Sequence, residues 1–98
     1  MIVVHTRVRC HAQHRDAFIA ILKHLQDATR REDGCLEYSY VADLDDECLF
    51  LGVEEWRDEA ALRAHLGAPH MNDPDSRFDA YSRDAETVRV FTAQPFDL

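Results

Sequence analysis

The stretch EEWRDEAALRAHLGAPHM, residues 54–71, decides how this chain folds. It joins the end of an apolar strand to a tryptophan, a capped short helix and two histidines, His65 and His70. Asp58 stands where an N-cap belongs, and its carboxylate can take one of the orphan N–H groups of the first turn. Gly67 and Pro69 stop the segment, so the spacing predicts a helix over about Glu59 to Gly67. His65 falls on the apolar side of that helix with Leu62 and Leu66, and His70 follows Pro69 where the chain turns.

Upstream, Cys48 to Arg57 is nearly continuous in apolar character and reads as a strand covered on both faces. Before it, Cys35 to Ala42 is a second strand, and the acidic turn Asp43 to Glu47 makes the two a hairpin. A loop of residues 43–47 pairs Tyr40 with Phe50, Tyr38 with Gly52 and Leu36 with Glu54. Gly52 then leaves room beside the Tyr38 ring, or marks a bulge or local twist. Phe18, Ile21, Leu22, Leu25 and Ala28 recur at helical spacing, which predicts a helix from about Gln13 to Arg31. Its start has no good cap, although Asp16 suits the dipole, and Gly34 can end it at positive φ. The first strand runs from about Ile2 to His11, with Val4, Thr6, Val8 and Cys10 alternating against His5, Arg7 and Arg9. Downstream, Asp73-Pro74 starts a further short helix whose buried side is Phe78 and Tyr81. Thr87 to Gln94 is the last strand.

The order is β-α-β-β-α-β, the ferredoxin-like α+β arrangement: an antiparallel four-stranded sheet with both main helices on one face. The other face lies bare. We assign Val4, Val8, Leu49, Leu51 and Val53 to it, too many apolar side chains for a lone subunit to expose. A homodimer packed sheet to sheet is expected.

The 98 residues form a single domain, 1–98, with 46% hydrophobic and 31% charged residues. A chain this small buries only about two-thirds of its unfolded surface, so a subunit interface would help it. The net charge of −8 disfavours nucleic acid and anionic membrane as partners. No apolar run reaches the roughly 20 residues of a bilayer span, and MIVVHTRVRC lacks the layout of a signal peptide. A cytoplasmic location is expected. Cys10, Cys35 and Cys48 are odd in number, show no CxxC spacing, and read as reduced core thiols.

The run from Glu54 to Met71 resembles the core signature of the antibiotic biosynthesis monooxygenase (ABM) family, whose members include small quinol monooxygenases. The His-Leu pair followed by Pro-His is the more specific half; GCLEY at residues 34–38 also matches, and the resemblance covers nearly the whole chain. It implies a dimeric α+β barrel with a substrate cavity between sheet and helices. It also implies a cofactor-independent oxidation of a quinol or related phenol by O₂, with no metal and no organic cofactor. The chain departs from some branches. The polyketide-oxidising members carry an Asn four residues before the Trp and a Tyr six after it, where this chain has Gly52 and Leu62. The haem-degrading members carry an Asn in the first strand where this chain has Arg7, so haem degradation fits less well. A further branch isomerises small phosphorylated compounds, and a non-oxygenase binding or isomerising domain is the competing reading.

Phe50, Gly52, Glu54 and Trp56 share one face of their strand, which we assign to the helix side, and the hairpin brings Tyr38 and Tyr40 there. His5 and Arg7 join them if Val4, Thr6 and Val8 face the barrel. On the resemblance, His65 or His70 is the general base, Arg7 stabilises the developing phenolate, and Trp56 with Tyr38 walls the substrate, flanked by Glu54, Phe50 and His5. Each has a plainer reading. His65 can be a helix residue bonded to a carbonyl, His70 a solvated turn residue, Trp56 core, and Glu54 the ion-pair partner of an arginine such as Arg7. The Cys10-His11-x-x-His14 run leaves a strand and enters a helix, so it does not converge on one metal ion. The Asp43 to Glu47 turn lacks the Gly and bidentate Glu spacing of a Ca²⁺ loop. The absence of a Gly-rich phosphate loop argues against a nucleotide or flavin.

Overall fold

A computed structural model describes residues 1–76 and 78–98. The main elements are β1 (Ile2–Arg9), α1 (Arg15–Thr29), β2 (Cys35–Ala42), β3 (Leu49–Trp56), α2 (Glu59–Leu66), α3 (Pro69–Asn72) and β4 (Thr87–Thr92). The four strands form one antiparallel sheet in the order β2-β3-β1-β4. This is the ferredoxin-like architecture. Among the described residues no helix is long and apolar enough to cross a membrane.

The helix-facing side of the sheet carries two apolar clusters. Val8, Cys10, Cys48 and Phe50 meet Phe18 and Leu22 of α1. Val4, Tyr38 and Trp56 meet Leu25 of α1 and Ala61 of α2. The α1 stripe is therefore the one the 3.6-residue period marks, with Thr29 buried at its end. Asp58 caps α2, its carboxylate accepting the Ala61 N–H at 2.9 Å. Gly34 turns the chain at φ +84°; a Cβ there would also lie 2.6 Å from that of Ala61. The three cysteines are free, with Cys10 and Cys48 buried in the first cluster.

Several expectations need correction. Register in the hairpin is displaced by two residues: Tyr40 opposes Gly52 and Tyr38 opposes Glu54. The loop is longer than supposed because its own carboxylates fold it. Asp43 Oδ2 accepts from the Asp45 and Asp46 N–H groups, and Asp46 Oδ1 accepts from the Cys48 N–H. Hence Gly52 admits Tyr40, not Tyr38. A Cβ at Gly52 would lie 2.9 Å from Tyr40 Cε1 and 2.1 Å from Thr6 Oγ1.

The first strand is turned the other way round. Val4, Thr6 and Val8 pair with Glu54, Gly52 and Phe50, and so face the helices. His5 and Arg7, opposite Val53 and Leu51, lie exposed on the bare face. That face does not hold Val4 or Val8, which are buried toward the helices; it holds Leu51, Val53, Val41 and Phe91, with Leu49, opposite Arg9, on the same side but buried. His5 there stands edge-on to Phe91, ring centroids 5.6 Å apart.

The ends of elements also differ. A 3₁₀ turn at Ala12–His14 precedes α1, whose start has no side-chain cap, and α1 stops at Thr29. Pro69 opens a helical turn, α3, where only a bend was expected; it occupies the first-turn position where a missing N–H costs nothing. Where a helix was expected from Pro74, the described residues form 3₁₀ turns at Pro74–Ser76 and Phe78–Tyr81. Tyr81 packs on the first cluster, while the Phe78 side chain lies outside the described residues.

Candidate active site

Between the sheet and the helices lies a cavity of about 400 Å³. Val4, Tyr38, Tyr40, Glu54 and the β4 residues Val88 and Val90 form its sheet side. Leu25, Leu62, His65, Leu66, His70 and Met71 form its helix side. Size and lining suit a small aromatic ligand.

Of the residues singled out from sequence, Tyr38, Glu54, His65 and His70 are brought together on this cavity. Trp56 is fully buried behind it. Its ring lies against His65, centroids 4.7 Å apart and planes tilted by 35°, and its Nε1–H donates to Glu54 Oε1 at 2.9 Å. It backs the wall without lining it. Phe50 belongs to the other cluster, packed on Phe18 at 5.6 Å. Arg7 and His5 are on the far face of the sheet and cannot reach a ligand here. Among the described residues Glu54 has no arginine partner; it accepts from the indole instead.

The residue that sequence reading missed is Glu32, in the turn after α1. Its Oε2 lies 2.6 Å from His65 Nδ1 and 3.2 Å from His70 Nε2. Thr29 Oγ1 lies 3.2 Å from the same His70 nitrogen. His65 is thus held between the Trp56 face and a carboxylate, itself almost wholly buried. A carboxylate accepting from Nδ1–H fixes the neutral tautomer and leaves Nε2 as the basic nitrogen. Burial pushes the His65 pKa down, against the pull of Glu32, so the ring stays neutral and able to accept a proton.

Desolvation pushes Glu54, Glu86, Tyr38 and Tyr40 on the cavity toward their neutral forms. Burial raises Glu54 to about 7, opposed by the Trp56 hydrogen bond and reinforced by the charges of Glu86 and Glu32. Partial desolvation at the exposed rim of the cavity also raises Glu86. The Tyr40 phenol is pushed up to about 12, and Tyr38 is pushed well above the ordinary phenol range, both chiefly by desolvation. Their hydroxyls, 3.5 Å apart, remain proton donors at neutral pH. Among the described lining residues there is no Lys or Arg. The two phenols are neutral donors available to a developing oxyanion.

Comparison with known proteins follows the same lines. The family model for antibiotic biosynthesis monooxygenases matches residues 1–73. The Synechocystis sp. protein "Uncharacterized protein sll1783" is 32% identical over 72 residues, which make up 74% of this chain and 49% of that protein. The Bacillus subtilis protein "Putative monooxygenase YcnE" is 29% identical over 71 residues, 72% of this chain and 75% of that one. The match therefore spans about half the length of the Synechocystis relative. A crystal structure of an antibiotic biosynthesis monooxygenase superposes with a TM-score of 0.89 at 29% identity, covering 97% of this chain and 100% of the other.

Proposed function

The chain belongs to the antibiotic biosynthesis monooxygenase family, and on that footing we propose that it oxidises a quinol or related phenol with O₂ without a cofactor. The observation that carries this reading is His65, neutral and fixed by Glu32, on the wall of a largely apolar cavity. Such a site needs to do little. Its base takes the proton of the substrate hydroxyl, and a dry wall keeps the phenolate reactive. The phenolate passes an electron to O₂, and the radical pair recombines to a ring hydroperoxide. Loss of water then gives the quinone, so one oxygen atom enters the product and the other leaves in water. His65 Nε2 is the base in this scheme, with His70 beside it on the same carboxylate. Tyr38 and Tyr40 supply the neutral donors that Arg7 does not.

The bare sheet face supports a further part of the reading, a homodimer. Val41 and Phe91 are substantially exposed there beside Leu51 and Val53.

A second reading has its own observation. Glu54, held near 7, shares the cavity with the neutral His65. Two such groups could move a proton between carbons of an isomerising substrate without oxygen. Oxygen uptake separates the two readings. With a panel of hydroquinones in metal-free, flavin-free buffer, the oxygenase reading expects protein-dependent O₂ consumption and quinone formation. Consumption equal to the buffer blank across the panel would sink it in favour of the isomerising or binding reading.

A further inference from the structure

We propose that Glu32, His65 and His70 form a three-ligand site for a divalent transition metal ion, Zn²⁺ fitting best, and that an ion bound there silences the base. The donor set is two imidazole nitrogens and one carboxylate oxygen, a combination that suits Zn²⁺ and its neighbours in the first transition row. The three ligand atoms, His65 Nδ1, His70 Nε2 and Glu32 Oε2, all lie within 4.8 Å of one another. Bonds of about 2.0–2.1 Å in tetrahedral geometry place donors about 3.3 Å apart. The His70–Glu32 separation of 3.2 Å already meets this, and the His65–Glu32 pair, at 2.6 Å, needs to open by under 1 Å.

The frame suits such a site. The two histidines are separated by four residues, within the three to five that zinc-binding histidine pairs commonly show. They come from the last turn of α2 and the first turn of α3, and Glu32 from the turn that Gly34 closes. All three side chains are mostly buried, yet both histidines reach the cavity, which offers a path of entry and a fourth ligand position. The chain's charge of −8 favours a cation generally.

The consequence for His65 follows from its two nitrogens. An ion on Nδ1 replaces the proton shared with Glu32, and that proton moves to Nε2. The ring stays neutral, so no proton is released, but Nε2 turns from acceptor into donor. His70 Nε2, beside the same carboxylate, binds the ion in the same way, its proton passing to Nδ1. Binding at the site does not depend on the proposed activity; only the silencing rests on that reading.

The site is tested by titrating chelator-stripped full-length protein with Co²⁺, followed by its visible ligand-field bands, and then displacing the Co²⁺ with Zn²⁺. One ion per chain is expected. Glu32→Gln and His70→Gln should each weaken binding at least tenfold, while His11→Gln and His14→Gln leave it unchanged. Circular dichroism checks that each variant is folded. His70, at a partly exposed position, keeps the test open if Glu32→Gln fails to fold. Binding that ignores the Glu32 and His70 variants means an adventitious ion only, and overturns the site. In the second arm, one equivalent of Zn²⁺ should cut quinol-dependent O₂ uptake at least tenfold. Uptake that is unchanged or faster with the site filled overturns the silencing. If the ion-free protein consumes no O₂ with any quinol, the oxygenase reading fails, and the Co²⁺ spectrum still decides the site.

Discussion

Replacing Glu54 by glutamine removes a titration that the fold has displaced, and the effect on stability has a definite sign and size. In the folded chain the carboxyl is buried, 7% exposed, and its pKa stands at about 7 against an ordinary 4.5. Below about pH 4.5 both folded and unfolded chains carry the proton, and the group does not make stability depend on pH. Between 4.5 and about 7 the unfolded chain ionises first, so stability falls as pH rises, by about 1.4 kcal/mol per pH unit. Above 7 both states are ionised and the loss is complete, about 3 kcal/mol in all. Glutamine keeps the oxygen that accepts the Trp56 Nε1–H and abolishes the titration. Denaturant unfolding of parent and Glu54→Gln at about pH 4.5 and about pH 8 reads the difference directly. His65 and Glu86 titrate in both chains and largely cancel. The variant should gain about 3 kcal/mol relative to the parent between the two conditions. A stability difference that stays constant with pH would refute the reasoning, and with it the view that Glu54 sits dehydrated on the cavity wall.

Three further outcomes follow from the packing. Gly52→Ala should destabilise by about 1–3 kcal/mol, because its Cβ meets Thr6 Oγ1 and the Tyr40 ring; unfolding midpoints measure this. Arg7→Ala should leave quinol turnover and product binding at parental levels, since Arg7 faces away from the cavity; a tenfold fall in turnover would contradict the assignment of faces. Sedimentation at micromolar concentration should show a dimer, and truncation after Gln94, which removes the exposed Phe96, should weaken it. A stable monomer would remove the proposed sheet-to-sheet contact.

Much of the fold was legible because period and punctuation agree. Phe18, Leu22 and Leu25 mark the buried side of α1, Asp58 caps α2, and Gly34 ends the first helical segment where positive φ is required. Alternation along β1 was also legible, but alternation defines two faces without saying which one the helices cover. His5 and Arg7 reach the cavity only if Val4, Thr6 and Val8 face away from the helices, and the register shows the reverse. The hairpin register failed for a local reason, the Asp43 and Asp46 side chains building their own turn. Within the candidate site, the histidines were visible because they ride on an apolar helix side and a Pro-His turn. Glu32 was not, because it stands 33 residues before His65 in a run of charges that reads as solvated, and only the folded chain brings the turn after α1 against the end of α2. Pairings of that kind leave no mark in spacing or period.

The central claim is that His65, oriented by Glu32, is the base of a quinol-oxidising site. Initial rates of O₂ uptake with a hydroquinone, for the parent, His65→Ala, His70→Ala and Glu32→Gln, test it most directly when paired with product-quinone binding. His65→Ala should lose about 10²–10⁴-fold in turnover while still binding the quinone, and Glu32→Gln should lose less, since it keeps the base but loosens its orientation. Turnover at the parental rate in His65→Ala, with an unchanged pH profile, would contradict the account and make the His65–Glu32 pair a structural device.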